Sequence, residues 1–268
     1  MTHGTTPPTA PGPRRPEAVI PCIDVSEGRA TEPAGHPGLS DPGDVAEIAR
    51  SYARDGATTL FLDVFDAWAD TGYLPDLLRE LDETGLAPVV SVQQGVLTSL
   101  AACEKLLAAG AAKVSVSTSM AEEPDLVASA ATELGGHRLL GVLNCAADGR
   151  GGWRVLVHGG DTRTGLQATD VARRYGELGL AAVLANSVDQ EGTSAGYDLE
   201  LTGAVARACG LPVIASGGAG AAEHLVAALD AGDASYVLVN KLVHSGRTTI
   251  AALGEALRGT APEEGHGP

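Results

Sequence analysis

The chain has 268 residues and is 44% hydrophobic, with 18 Lys and Arg against 34 Asp and Glu, giving a formal net charge of −16. That balance excludes a basic footprint for nucleic acid and suits an anionic membrane surface poorly. The four cysteines include no C-x-x-C pair, so zinc or thioredoxin-type chemistry has little support and no metal or other cofactor is expected. No apolar run reaches the roughly 18 residues of a membrane span, and the N-terminus lacks the apolar core of a signal peptide, so a cytoplasmic protein is expected.

Residues 1–17 are rich in Pro, Thr and Gly and read as a disordered tail, as do 261–268. Between them, over 18–260, short apolar runs alternate with amphipathic stretches. The runs are Ala18–Val25, Thr59–Val64, Pro88–Val92, Lys113–Ser117, Leu139–Asn144, Ala181–Asn186, Pro212–Ser216 and Ser235–Val239. They are rich in Val, Ile and Leu, as parallel strands buried on both faces are. Helices are expected over Asp44–Asp55, Thr98–Ala109, Pro124–Leu134, Ala168–Leu178, Leu199–Ala208 and Ala221–Ala231, several closed by a glycine: Gly56, Gly110, Gly179, Gly210 and Gly232. Eight strand–helix units predict an α/β fold, a single-domain (β/α)8 TIM barrel, in preference to an open doubly wound sheet. Pro88-Val-Val-Ser-Val echoes Pro212-Val-Ile-Ala-Ser, and Asp24 and Asn144 end the first and fifth runs. This is the spacing of two half-barrel repeats.

In such a barrel the chemistry sits at the C-terminal ends of the strands. Those ends hold Asp24; Asp63 and Asp66; Gln93, Gln94 and Gly95; Ser117 and Thr118; Asn144; Asn186, with Asp189 and Glu191 beyond; Ser216-Gly-Gly-Ala-Gly220; and Asn240-Lys241. Gly217, Gly218 and Gly220 before a helix form either a cradle for phosphate oxygens or a plain tight turn; the barrel and Lys241 beside it favour phosphate. Asp24 lies in a strongly apolar strand, where burial raises a carboxyl pKa toward acid/base work; the alternative is a structural aspartate. Asp63 is open to the same two roles and reads more readily as structural. The cysteines read as small packing residues, Cys145 being the one candidate nucleophile. His158 and His244 read as surface or hydrogen-bonded side chains, and Trp68 and Trp153 as either pocket lining or packing.

Ile20-Pro-Cys-Ile-Asp-Val25, Phe61-Leu-Asp63, Lys113-Val-Ser-Val-Ser-Thr118, His158-Gly-Gly160, Asp189-Gln-Glu-Gly-Thr193, Gly196-Tyr-Asp198 and Val213-Ile-Ala-Ser-Gly-Gly-Ala-Gly220 follow one another in order. Together they resemble the HisF family, the cyclase subunits of imidazole glycerol phosphate synthase. The resemblance implies ring closure and cleavage of a phosphorylated nucleotide using ammonia from a glutaminase partner, two opposed aspartates as acid and base, and two phosphate sites. It makes Asp24 and position 144 the catalytic pair. It gives phosphate-binding roles to Gly95 and Thr118 at one end and to Gly217, Gly218, Gly220, Asn240 and Lys241 at the other. Asp63, Gln93, Gln94, Ser117, Asn186, Asp189 and Thr193 then line the substrate pocket.

The departures are equally specific. Asn144 stands where the second aspartate belongs, and a carboxamide neither gives nor takes a proton near neutral pH. Gln93 and Gln94 replace glycines of a phosphate loop, and Ser117 replaces an asparagine. Asn240 and Lys241 replace a small Ala-Ser pair, and Glu32 replaces a basic loop residue. At the other mouth, where the family has a ring of alternating charges, the positions are Ala18, Thr58, Lys113 and Ala182; Ala112 replaces an aspartate used against the glutaminase. These changes point to a divergent cyclase or lyase of specialised metabolism that acts on a small phosphorylated sugar- or nucleotide-like molecule without a glutaminase partner. The alternatives are the histidine-pathway cyclase itself and a non-catalytic phosphate-ligand-binding barrel.

Overall fold

Each expected strand pairs in parallel with the next, and the last pairs with the first, in the computed structural model, which describes residues 16–259. The strands are β1 (Val19–Ser26), β2 (Thr59–Ala67), β3 (Ala87–Gln94), β4 (Lys113–Val116), β5 (Leu139–Ala147), β6 (Ala182–Ser187), β7 (Val213–Ser216) and β8 (Tyr236–Val239). Parallel pairings run from β1 to β2 and onward to β8, and Val19 of β1 meets Val237 of β8 to close the barrel. The fold is a (β/α)8 barrel.

Side chains alternate across each strand. The inward set of Ile20, Cys22, Phe61, Val89, Leu140, Val142, Ala182, Leu184 and Ile214 packs into one apolar plug. The outward set meets the helices in two further cores, one centred on Ile48, Leu62, Leu78 and Leu253, the other on Val127, Tyr175 and Val205. Tyr175 sits fully buried in the second core, and its hydroxyl donates to the carbonyl of Val116 at 2.8 Å.

The helices of seven or more residues are α1 (Val45–Arg54), α2 (Leu74–Leu81), α3 (Leu100–Ala108), α4 (Pro124–Ala130), α5 (Ala168–Glu177), α6 (Leu199–Cys209), α7 (Ala222–Asp230) and α8 (Ile250–Gly259). Asp44, Ser99 and Asp198 cap α1, α3 and α6, each accepting from a backbone N–H three residues on. Gly210 closes α6 in the left-handed conformation at φ 65°, and Gly56, Gly110 and Gly179 also take positive φ. Gly232 does not: α7 ends on Ala231 at φ −109°.

Other differences from the sequence reading are local. The helix expected over Pro124–Leu134 keeps α geometry only to Ala130 and finishes in a π turn over Ala131–Gly135. Helices α2 and α8 and the antiparallel pair Trp153–Val157 and Thr162–Gln167 are not among the elements expected from the sequence. That pair extends β5 beyond the barrel rim, because Asp148 accepts the N–H groups of Arg150 and Gly152 and turns the chain back. Pro16 and Glu17, expected in the N-terminal tail, form a 3-10 turn with Ala18 beside α8. The rest of both expected tails lies outside the described residues. Among the described residues no helix is long and apolar enough to cross a membrane.

Candidate active site

The period of two along each strand decides what faces the barrel mouth. Above the apolar plug, the next inward positions are Asp24 on β1, Asp63 on β2, Gln93 on β3, Asn144 on β5, Asn186 on β6, Ser216 on β7 and Asn240 just after β8. All seven line one cavity of about 370 Å³, floored by Cys22, Phe61, Val142, Leu184 and Leu238. Register sets the layer: Asp24 is the direct partner of Asp63, and Asn144 of Asn186.

The amides form a chain of one polarity. Asn186 Nδ2 donates to Asn144 Oδ1 at 2.9 Å and to Glu191 Oε1 at 2.6 Å. Asn144 Nδ2 donates to Gln93 Oε1 at 3.4 Å, and Gln93 Nε2 donates to Asp63 Oδ1. The chain starts at Asn186 and ends on a carboxylate at either side, Glu191 and Asp63. Across the cavity, Asp24 Oδ1 accepts from Asn240 Nδ2 at 2.8 Å and from the Cys22 thiol at 3.7 Å.

Burial raises the pKa of Asp24 above the usual carboxylate range, against the opposing pull of the Asn240 and Cys22 hydrogen bonds. Burial pushes Asp63 further, to about 7; the Gln93 amide opposes the shift, and the negative charges of Asp24 and Glu191 add to it. Of the two carboxyl groups, Asp63, read more readily as structural, carries the larger upward shift. Cys22 Sγ and one oxygen each of Asp24 and Asp63 lie within 4.8 Å of one another. Burial holds the thiol well above its ordinary pKa, so Cys22 is a protonated donor to Asp24 rather than a thiolate ligand.

The other wall is a tight glycine turn with two cationic side chains beside it. Gly217 and Gly218 have φ of 88° and 98°, and a Cβ on them would stand 2.5 Å from Ser187 O and 2.2 Å from Gly196 O. Only glycine lets this turn pack so closely, and it leads directly into α7. Gly217, Gly218, Ala219, Lys241 and Arg247 line the same cavity as Asp24.

Several expected site residues stand elsewhere. Gly220 spends its N–H on His224 Nδ1 at 3.1 Å, outside the cavity lining. Thr118 is buried and its hydroxyl accepts the His158 N–H at 2.9 Å. Gln94 packs beside Gly159, and Gly95 and Ser117 lie outside the lining. Asp189 is exposed and accepts the Ala147 N–H at 2.7 Å, which ties the loop after β6 to the end of β5. Thr193 is exposed, and its hydroxyl donates to Gln190 O. Thr118, Asp189 and Thr193 share one cause: their side chains serve the turns that follow the strands, not the barrel axis.

Other candidates resolve into structural roles. Trp153 Nε1 donates to Asp198 at 2.9 Å, and Trp68 is buried in the first core. His158 pairs with Glu122 at 2.9 Å, while buried His244 contacts Glu32 O at 2.9 Å. Cys145 is fully buried in the second core with its thiol pKa raised, which removes it as a nucleophile. Sequence reasoning missed Cys22 and Arg247 as cavity residues, and placed Glu191 among the strand-end residues without giving it a role. Cys22 was legible as the inward neighbour two residues before Asp24, and Glu191 as the second acid of the loop after β6. Nothing in the sequence marked Arg247.

A family model described as "Histidine biosynthesis protein" matches residues 18–249. "Imidazole glycerol phosphate synthase subunit HisF" of Salinispora arenicola (strain CNS-205) is 41% identical over 246 residues, covering 90% of this chain and 95% of that protein. The protein of the same name from Synechococcus sp. (strain CC9311) is 40% identical over 246 residues, covering 90% of this chain and 93% of its own. With a closed eight-stranded barrel, an inward aspartate near the C-terminal end of β1 and the glycine turn after β7, the chain belongs to the histidine biosynthesis protein family, on its HisF branch.

Proposed function

We propose that this HisF-family barrel is an enzyme of the cyclase and lyase type acting on a small sugar- or nucleotide-like molecule that it holds by a single phosphate. The observation that carries this reading is the asymmetry of the mouth. On one side, Gly217, Gly218, Lys241 and Arg247 face the cavity. On the side where the resemblance expects a second phosphate, Gln93 fills the lining and Gln94 packs on Gly159.

The phosphate docks on the glycine turn, where backbone N–H groups, the start of α7 and two cations offset its charge. The body of the substrate then spans the cavity floor. Asp24, with its raised pKa, exchanges a proton with the reacting carbon or nitrogen, and Asn240 holds its carboxyl in place. Gln93, Asn144 and Asn186 present neutral amides, which orient polar groups without adding charge.

The same features bear on the partner. The relatives carry the word subunit in their names. In this chain the entrance positions at the opposite mouth are buried Ala18 and Ala182, exposed Thr58 and half-buried Lys113. A wall with a single charge supports action on a substrate that needs no delivered ammonia.

A second reading, the histidine-pathway cyclase itself, is favoured by about 40% identity over 90% of the chain. Ammonium-driven turnover of the family's nucleotide, with wild type and Asn144→Asp side by side and products read by mass spectrometry, separates the two. We expect no turnover by wild type. Turnover by wild type would establish the second reading.

A further inference from the structure

We propose that Asp24 and Asp63 share one proton at neutral pH, so that one wall of the cavity holds both an acid and a base, and Asp63 supplies the group that position 144 lacks. The proposal rests on the enzymatic reading above and deepens it. Its basis is register. Asp24 and Asp63 are direct partners on adjacent parallel strands, so their side chains leave the sheet on the same face, about 4.8 Å apart at the backbone. A carboxylate oxygen of each lies within 4.8 Å of the other. Both line the same cavity. Two carboxyl groups at such a separation lose a first proton readily and a second reluctantly, and they titrate as a pair.

The surroundings separate the two members. Asp24 is faced by Asn240 and Cys22, which donate to it, by His244 from the turn after β8 and by Glu32 from the loop after β1. It is the better anion of the pair. Asp63 is faced by Gln93 from β3 and by the charges of Asp24 and Glu191. It is the better acid.

Asn144 has a place in this arrangement. Asn186 gives both amide hydrogens away, so Asn144 must present its oxygen to Asn186 and its nitrogen to Gln93. Gln93 is thereby fixed with its oxygen toward Asn144 and its nitrogen toward Asp63. Gln93 is a positioning residue for Asp63, held in its orientation by Asn144. In one cycle Asp24 takes a proton from the substrate and Asp63 gives one to it. The pair is reset by passing a proton from Asp24 to Asp63, so the count is unchanged.

The test is carbonyl-region carbon NMR of the full chain labelled at aspartate, titrated in wild type, Asp24→Asn and Asp63→Asn. We expect two coupled steps in wild type, the upper near neutrality. Each variant should titrate its remaining carboxyl in one step, about one pH unit or more below the wild-type upper step. A wild-type Asp63 that titrates within the ordinary carboxylate range, or an upper step unmoved in Asp24→Asn, overturns the proposal. If Asp63→Asn does not fold, Asp24→Asn decides alone, and if that does not fold either, the wild-type curve decides. Inorganic phosphate binding in the same samples reports on the anion wall. Its absence beside an intact coupled pair counts against the proposed function and not against the pair.

Discussion

Asn186 holds Asn144 by a hydrogen bond of 2.9 Å from Nδ2 to Oδ1, and this bond fixes the direction of every amide between β6 and Asp63. A carboxylate at position 144 could still accept from Asn186, but it would face Gln93 Oε1, acceptor against acceptor. Relief requires a proton on the new carboxyl or, with Gln93 turned over, on Asp63. Either way, a carboxyl pKa in Asn144→Asp is raised in the folded state. Stability linked to a raised carboxyl pKa is complete below the unfolded value and is lost as pH rises through the folded one. Asn144→Asp should therefore lose about 1–3 kcal/mol relative to wild type between about pH 4.5 and pH 8. Urea unfolding at the two pH values measures it, and a difference independent of pH contradicts the amide chain.

The same sign applies to Asp63 in the native protein. Its pKa of about 7 lies above the ordinary carboxylate value, so it weakens the fold progressively as pH rises toward and past neutrality. Asp63→Asn removes that penalty. Whatever the variant costs through the altered contact with Gln93, its stability relative to wild type should improve by roughly 2–4 kcal/mol from about pH 4.5 to pH 8. An unchanged difference would mean that Asp63 is ionised as an ordinary surface aspartate is.

Lys241 and Arg247 are both exposed beside the glycine turn. Each charge-assisted contact to a phosphate contributes about 1.5–3 kcal/mol, so Lys241→Ala and Arg247→Ala should each weaken phosphate binding roughly 10- to 100-fold. Stability should barely change, because neither side chain packs in the core. Calorimetric titration and thermal melts of the single variants check both halves of the statement.

Two glycines make a matched pair of controls. At Gly218 a Cβ would meet Gly196 O at 2.2 Å, whereas at Gly95 nothing lies within 4 Å, and both have positive φ. Gly95→Ala should cost about 1 kcal/mol of backbone strain and leave phosphate binding intact. Gly218→Ala should cost more and remove binding, because the turn must open. Loss of binding in Gly95→Ala would place the anion at the end of β3.

The fold was legible because each strand announces itself as a short apolar run, and closure follows from having eight of them. The layer of cavity residues was legible for the same reason: Asp24, Asp63, Gln93, Asn144, Asn186 and Asn240 sit at or next to the ends of those runs. What the runs do not carry is direction after the strand ends. Thr118, Asp189 and Thr193 are polar residues in the expected place, yet each satisfies a neighbouring turn. The roles of Gln93 and Asn144 also depend on long-range contacts, since the two are 51 residues apart in sequence. Arg247 reaches the cavity from beyond the turn Lys241–His244, and no local pattern signals that reach.

The most direct test of the account is the number of phosphates the barrel holds. Titration of the full chain with inorganic phosphate, followed by calorimetry and phosphorus NMR, should give one site per chain, lost in Gly218→Ala and weakened in Lys241→Ala. Two sites per chain, or one that survives in Gly218→Ala and disappears in Gly95→Ala, would contradict the reading of a mouth with a single anion wall.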